Sequence, residues 1–115
     1  MGLWCLTVSV RVKDFRGVEI EVSSTLYFHV KKRHLDVFKV LGVSDENSFV
    51  QAVGKVVRGP NEVYSDGAGT LYYLCKVNDL YVNVIVFKNS IKTVYLLSLR
   101  SYRRMRFKKW LFKIY

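Results

Sequence analysis

"LYYLCKVNDLYVNVIVFKNSIKTVYLLSL", Leu71 to Leu99, decides how this chain is read. It divides into three runs, "LYYLCKV", "LYVNVIVFK" and "IKTVYLLSL", separated by "ND" and "NS". Each run is rich in β-branched and aromatic residues, which suit a pleated, half-buried surface, and the short polar breaks turn the chain back. The stretch therefore reads as an antiparallel meander. Its faces depend on one turn. A two-residue turn at Asn89-Ser90 puts Thr93 and Tyr95 with Val84 and Val86, toward the core. A three-residue loop, Lys88–Ser90, shifts the register by one and puts them with Tyr81 and Asn83, on a polar, aromatic face.

Upstream, the glycine-containing "SDGAGT" is a turn, and Glu62–Ser65 reads as one more short strand. "SDENSFVQAVGKVVRG" reads as a helix capped by Ser44, with Asp45 and Glu46 favouring its N-terminal dipole and Gly59-Pro60 ending it. Before it, Leu26, Val30, Val37 and Leu41 recur at helical spacing, between an N-cap at Ser24 and a stop at Gly42. "LTVSVRV" (Leu6–Val12) and "VEIEV" (Val18–Val22) alternate apolar and polar residues around "KDFRG", the pattern of a β-hairpin. The expected fold is α+β: an N-terminal β-hairpin, two helices, then a three- to four-stranded antiparallel sheet with the helices packed on one face. Residues 1–115 form a single domain, with 100–115 as a basic, aromatic C-terminal segment.

Half of the residues are apolar and only one is proline, so the chain has the burial capacity of a folded domain. "MGLWCLTVSVRV" lacks a leading basic region and soon alternates, which reads as a strand rather than a signal peptide. No apolar run approaches the ~18 residues of a membrane span. The expectation is a cytoplasmic protein with no integral membrane segment. Cys5 and Cys75 are too few and too far apart for a disulfide framework and read as core thiols, a bridge requiring their strands to be neighbours. No Cys/His or carboxylate group has metal-ligand spacing, so no metal and no cofactor are expected.

Charge says more. Residues 1–79 hold 10 Lys/Arg against 9 Asp/Glu, whereas residues 80–115 hold 9 Lys/Arg and no acid. Nearly all of the +10 net charge therefore lies in the last third. A field of one sign attracts polyanions by releasing their counterions, which favours nucleic acid, with an anionic membrane surface behind it. In "RSYRRMRFKKWLFKIY" the cations Arg100, Arg103, Arg104, Arg106, Lys108 and Lys109 alternate with aromatics including Trp110. Aromatics stack on bases while Arg and Lys follow phosphates, a combination that suits single-stranded nucleic acid. The plain alternative is a final strand or helix with one apolar and one solvated face.

Both histidines lie in "FHVKKRHLDVF", Phe28–Phe38. On a continuous helix His29 and His34 are about 140° apart and cannot share one ion. His29 and Arg33 share a face, with Lys32 beside them, and Arg33 intrudes on the apolar stripe, where a guanidinium needs a partner or an opening. The other reading is a helix that frays near His34 and leaves a solvated cationic edge.

Several segments in order, "HVKKRHLDVF", "SDENSFVQAVGKVVRGPNEVY", "GTLYYLCKVNDLYVNVIVFK" and "IKTVYLLSLR", resemble the small ribonuclease domains of the barnase–EndoU–colicin–RelE superfamily, especially its phage-associated, toxin-like branch. The resemblance covers about residues 26–100. It rests on a His-x-x-x-Arg-His-like helix, a helix ending near Asn/Gly-Pro and a Thr-x-Tyr strand; Leu35 stands where proline commonly follows the histidine. It implies metal-independent RNA cleavage, in which the ribose 2′-OH attacks the adjacent phosphate and leaves a cyclic phosphate and a 5′-OH. That chemistry needs a proton acceptor, a proton donor and a cation. On this reading His29 or His34 serves as acid or base, and Arg33, Lys32 or Lys92 grips the phosphate. Thr93 orients the phosphate, and Tyr95 or Tyr73 donates a proton or stacks a base. The implied partners are RNA, single-stranded or tRNA-like, and an acidic antitoxin or immunity protein. Two other classes compete: a non-catalytic nucleic-acid-binding module, and a small basic subunit docking an acidic protein or anionic membrane.

Overall fold

The computed structural model describes residues 9–115. Cys5, residues 6–8 of the predicted first strand, and any pairing of Cys5 lie outside them. Cys75 is a half-buried thiol whose pKa burial pushes up.

The elements run β1 (Ser9–Lys13), β2 (Glu19–Ser23), α1 (Ser24–Arg33), α2 (Leu35–Leu41), α3 (Glu46–Arg58), β3 (Glu62–Ser65), β4 (Thr70–Val77), β5 (Leu80–Phe87), β6 (Ser90–Ser98), α4 (Leu99–Arg106) and β7 (Phe112–Lys113). The fold is α+β, and the hairpin, the meander and the Glu62–Ser65 strand stand where the sequence put them. The sheet is larger than expected: seven strands in the order β1-β2-β6-β5-β4-β3-β7. It is mixed, because β2 joins the meander parallel to β6 at Glu21 and Ser90. The Glu21 amide donates to the Asn89 carbonyl (2.7 Å), and the Ser90 hydroxyl donates to the Glu21 carboxylate (3.2 Å). A contact between residues so distant in sequence leaves no local pattern, so the sequence offered the hairpin and the meander without the pairing that joins them.

The main core lies between one sheet face and α1–α3. It brings Ile20, Val82, Val84, Val86 and Val94 against Leu26, Val30, Val37, Phe49, Val53 and Val57. The helices start and stop for local reasons. Ser23, rather than Ser24, caps α1: its extended backbone leaves its oxygen free to accept from the Leu26 amide (3.1 Å). Asp45, rather than Ser44, caps α3 through a reciprocal capping box with Ser48. Gly42 (φ 69°) ends α2 in the left-handed region.

The expectation of helices on one face is also corrected. α4 covers the other face, burying Tyr102 and Met105 against Tyr64, Leu74 and Tyr81. Those two apolar residues are three apart among four arginines, so one turn of helix sorts them from the charges. The Tyr102 and Tyr81 rings stack at 3.8 Å. The hydroxyls of Tyr102 and Tyr64 both donate to Glu62. Burial, then the Glu62 carboxylate, pushes the Tyr64 hydroxyl up to about 12.

The β1–β2 loop is pinned from inside. Asp14 is buried and accepts from the Arg16 and Val18 amides (2.9 and 3.0 Å), the Arg16 guanidinium (2.8 and 3.0 Å) and the Tyr73 hydroxyl (2.7 Å).

Candidate functional site

The site begins where the first predicted helix breaks. α1 ends at Arg33, and His34 (φ −138°, ψ 53°) leaves the helix while its amide still donates to the Val30 carbonyl (2.7 Å). α2 then restarts at Leu35. A continuous helix would have carried Arg33 into the row that buries Val30 and Val37. The break lets both valines stay buried while Arg33 faces solvent, which avoids desolvating a guanidinium. The expectation that Arg33 intrudes on the core is thus corrected, and the alternative of a solvated edge describes Lys32 and Arg33.

The same break overturns the expected splay of the histidines. Their ring centroids are 5.9 Å apart. The His29 Nε2 lies 3.2 Å from the Thr93 hydroxyl, and the His34 ring lies 5.8 Å from that of Tyr95. His29 is exposed, and His34, Thr93 and Tyr95 are half-buried. Four of the sequence candidates thus form one cluster where the α1–α2 junction packs against β6.

Thr93 and Tyr95 reach this position by a route neither sequence alternative contained. The turn is two residues, but they are Lys88 and Asn89, both at positive φ (51° and 60°), and Phe87 pairs with Ser90. Continued regularly, that register would pair Thr93 with Val84 and turn it into the core. A β-bulge at exposed Lys92 intervenes, so that Ile85 pairs with Thr93 and Asn83 with Tyr95. One extra residue exchanges the two faces of the rest of β6.

Tyr73 is corrected outright. It is 0% exposed on the core face, opposite Val84, and its hydroxyl is committed to Asp14. Its neighbour Tyr72 takes the open face, since side chains alternate along a strand. There Tyr72, Asn83, Tyr95, Arg104, Lys108 and Trp110 help to line a cleft of about 250 Å³ between the sheet and the α4–β7 segment. Tyr72 and Trp110 meet edge to face with centroids 6.4 Å apart. Tyr95 belongs to both the cleft and the histidine cluster.

No family model, curated protein or solved structure matches this chain.

The cations divide by environment. Lys32, Arg33, Lys92, Arg100, Arg103, Arg104, Lys108 and Lys109 are exposed, and none is held in an ion pair among the described residues. Arg106 is exposed too, but its guanidinium lies over the Tyr102 ring (5.5 Å). Among the described residues no three His, Cys, Asp or Glu side chains group as metal ligands, and no helix is long and apolar enough to cross a membrane. Sequence reasoning missed Tyr72, and it placed Asn83 on the polar face without giving it a role. Asn83 had a signal, as the lone amide in "YVNVIV", an otherwise apolar stretch of central strand.

Proposed function

We propose that this protein is a metal-independent endoribonuclease of a cytoplasmic, toxin-like kind. The observation that carries the proposal is the pair of imidazoles 5.9 Å apart, one bonded to Thr93 and the other against Tyr95. An imidazole is the side chain that changes charge near neutrality, so two at one site supply an acceptor and a donor. One histidine removes the proton of the ribose 2′-OH as that oxygen attacks phosphorus. The other protonates the departing 5′-oxygen, leaving a 2′,3′-cyclic phosphate. Thr93 fixes the His29 ring and turns toward the phosphate, while Lys32, Arg33 or Lys92 meets the charge gathering on its oxygens. An acidic protein covering the unpaired cations would restrain such an activity.

The test is to incubate folded protein with end-labelled single-stranded and tRNA-like RNAs in excess chelator. Fragments ending in a cyclic phosphate are expected. Intact RNA across all substrates would end the proposal.

A second reading, a nucleic-acid-binding module without chemistry, is favoured by the cationic, aromatic cleft itself. It retains salt-sensitive binding where cleavage fails. In either case Arg104→Ala with Lys108→Ala should flatten the log affinity against log salt plot for single-stranded RNA by about 1.4, since each lost phosphate contact removes about 0.7. Fluorescence anisotropy over a salt series measures it. An unchanged slope would remove both residues from the interface.

A further inference from the structure

Asn83 sits on β5, the central strand of the meander, between Leu74 of β4 and Tyr95 of β6. It is 0% exposed, and neither its amide nitrogen nor its amide oxygen has a hydrogen-bond partner among the described residues. The fold bears a cost for this, because a buried amide that loses water without gaining a partner is destabilising. A leucine or valine would fill the position without that penalty. The amide also borders the cleft that Tyr72, Tyr95 and Trp110 line with aromatic faces and edges, and that Arg104 and Lys108 line with charge.

We infer that this cleft is a nucleobase subsite for single-stranded RNA, with Asn83 reading the edge of the base next to the phosphate held at His29 and His34. The inference rests on the RNA reading above and names the part of the substrate that this cleft takes. An asparagine amide presents a donor and an acceptor side by side, which matches the adjacent donor and acceptor on the edge of a base. Aromatic side chains accept the flat faces of the ring by stacking, and Arg104 and Lys108 stand ready for the flanking phosphates. Tyr95 links the two sites: its ring is 5.8 Å from that of His34, and it pairs directly with Asn83 across β5 and β6. A base on Asn83 therefore places its own phosphodiester toward the histidines. Asn83 is shielded from solvent, so entry of the base requires the Trp110–Leu111 side of the cleft to shift.

The test uses 2′-O-methyl RNA oligonucleotides, which cannot be cut, in base-bearing and abasic forms. Asn83→Leu should weaken binding of at least one base-bearing sequence tenfold or more, leave abasic binding unchanged, and keep or raise the melting temperature. In wild-type protein the Asn83 side-chain amide resonances should move on saturation with that sequence and stay in place with the abasic form. Equal binding by wild type and Asn83→Leu would overturn the inference. So would a lowered melting temperature of the variant together with unmoved Asn83 resonances in wild type, since the amide would then serve the fold alone. The nuclease reading fails separately: protein that binds through Asn83 yet cuts no RNA keeps the subsite and loses the chemistry. Protein that cuts RNA with Asn83 unmoved loses the subsite alone.

Discussion

His29→Ala should lower RNA cleavage by about 10²–10⁴-fold, the usual contribution of a positioned acid or base. His29 is exposed on α1, and its ring bonds only to Thr93 among the described residues, so the substitution removes no core contact. The melting temperature should therefore stay within a degree or two of wild type while kcat/KM collapses. Thr93→Val should cost less, because it loosens the ring without removing it. Lys39→Ala, exposed on α2, is the control and should cleave normally. The measurement is the initial rate on labelled RNA in chelator beside a thermal melt. Undiminished cleavage by His29→Ala would separate the histidine cluster from the activity.

Asp14→Ala should lower stability by about 2–3 kcal/mol, chiefly because the buried Tyr73 hydroxyl loses its acceptor, while the exposed Arg16 guanidinium keeps water. That is a large part of the roughly 5–15 kcal/mol that holds a typical domain together. The alanine would strand the fully buried Tyr73 hydroxyl and two loop amides at once. Adding Tyr73→Phe should recover part of the loss, because it removes a donor that has no acceptor left. The pH dependence has a definite sign. Burial raises the carboxyl of Asp14, but hydrogen bonds from Tyr73, Arg16 and the Arg16 and Val18 amides outweigh it and hold the pKa below the ordinary 3.8. A carboxylate depressed by folding stabilises the native state fully above its unfolded pKa, and that support fades as pH falls through the folded value. Wild-type protein should thus lose stability as the pH falls below about 4, and Asp14→Ala should show a flatter profile there. Urea unfolding at a series of pH values reads both effects.

Much of the fold was legible because it is locally encoded. The runs in Leu71–Leu99 carry their own β preference, and Gly42, Gly59 and the Asp45–Ser48 box mark helix ends within a few residues. Long-range pairings had no such marks: Glu21 with Ser90, and the two residues of β7 with Tyr64 and Ser65. The site was half legible. The residue types in the histidine stretch and the Thr-x-Tyr strand pointed to His29, His34, Thr93 and Tyr95. Their meeting depended on a helix break at His34 and a bulge at Lys92, and neither comes from a fixed period. Tyr73 was misread for a related reason. Adjacent tyrosines are chemically equal in the sequence, and only the register sends Tyr72 outward and Tyr73 to Asp14.

The bulge at Lys92 acts on β6 as a dislocation acts in a crystal: order is regular on both sides, but the two halves are out of phase. Ile91 and Val94 face the same core although they stand three positions apart, a spacing no uninterrupted strand allows. Removing Lys92 would heal the defect and leave Ile85 opposite Thr93 and Asn83 opposite Tyr95, because those pairings lie wholly on one side of it. Removing a residue beyond Thr93 would close the same defect only by moving the residues between it and Lys92 to the opposite face. The strand can thus lose one residue at the bulge without exchanging core for surface, and the bulge adjoins the threonine that meets His29.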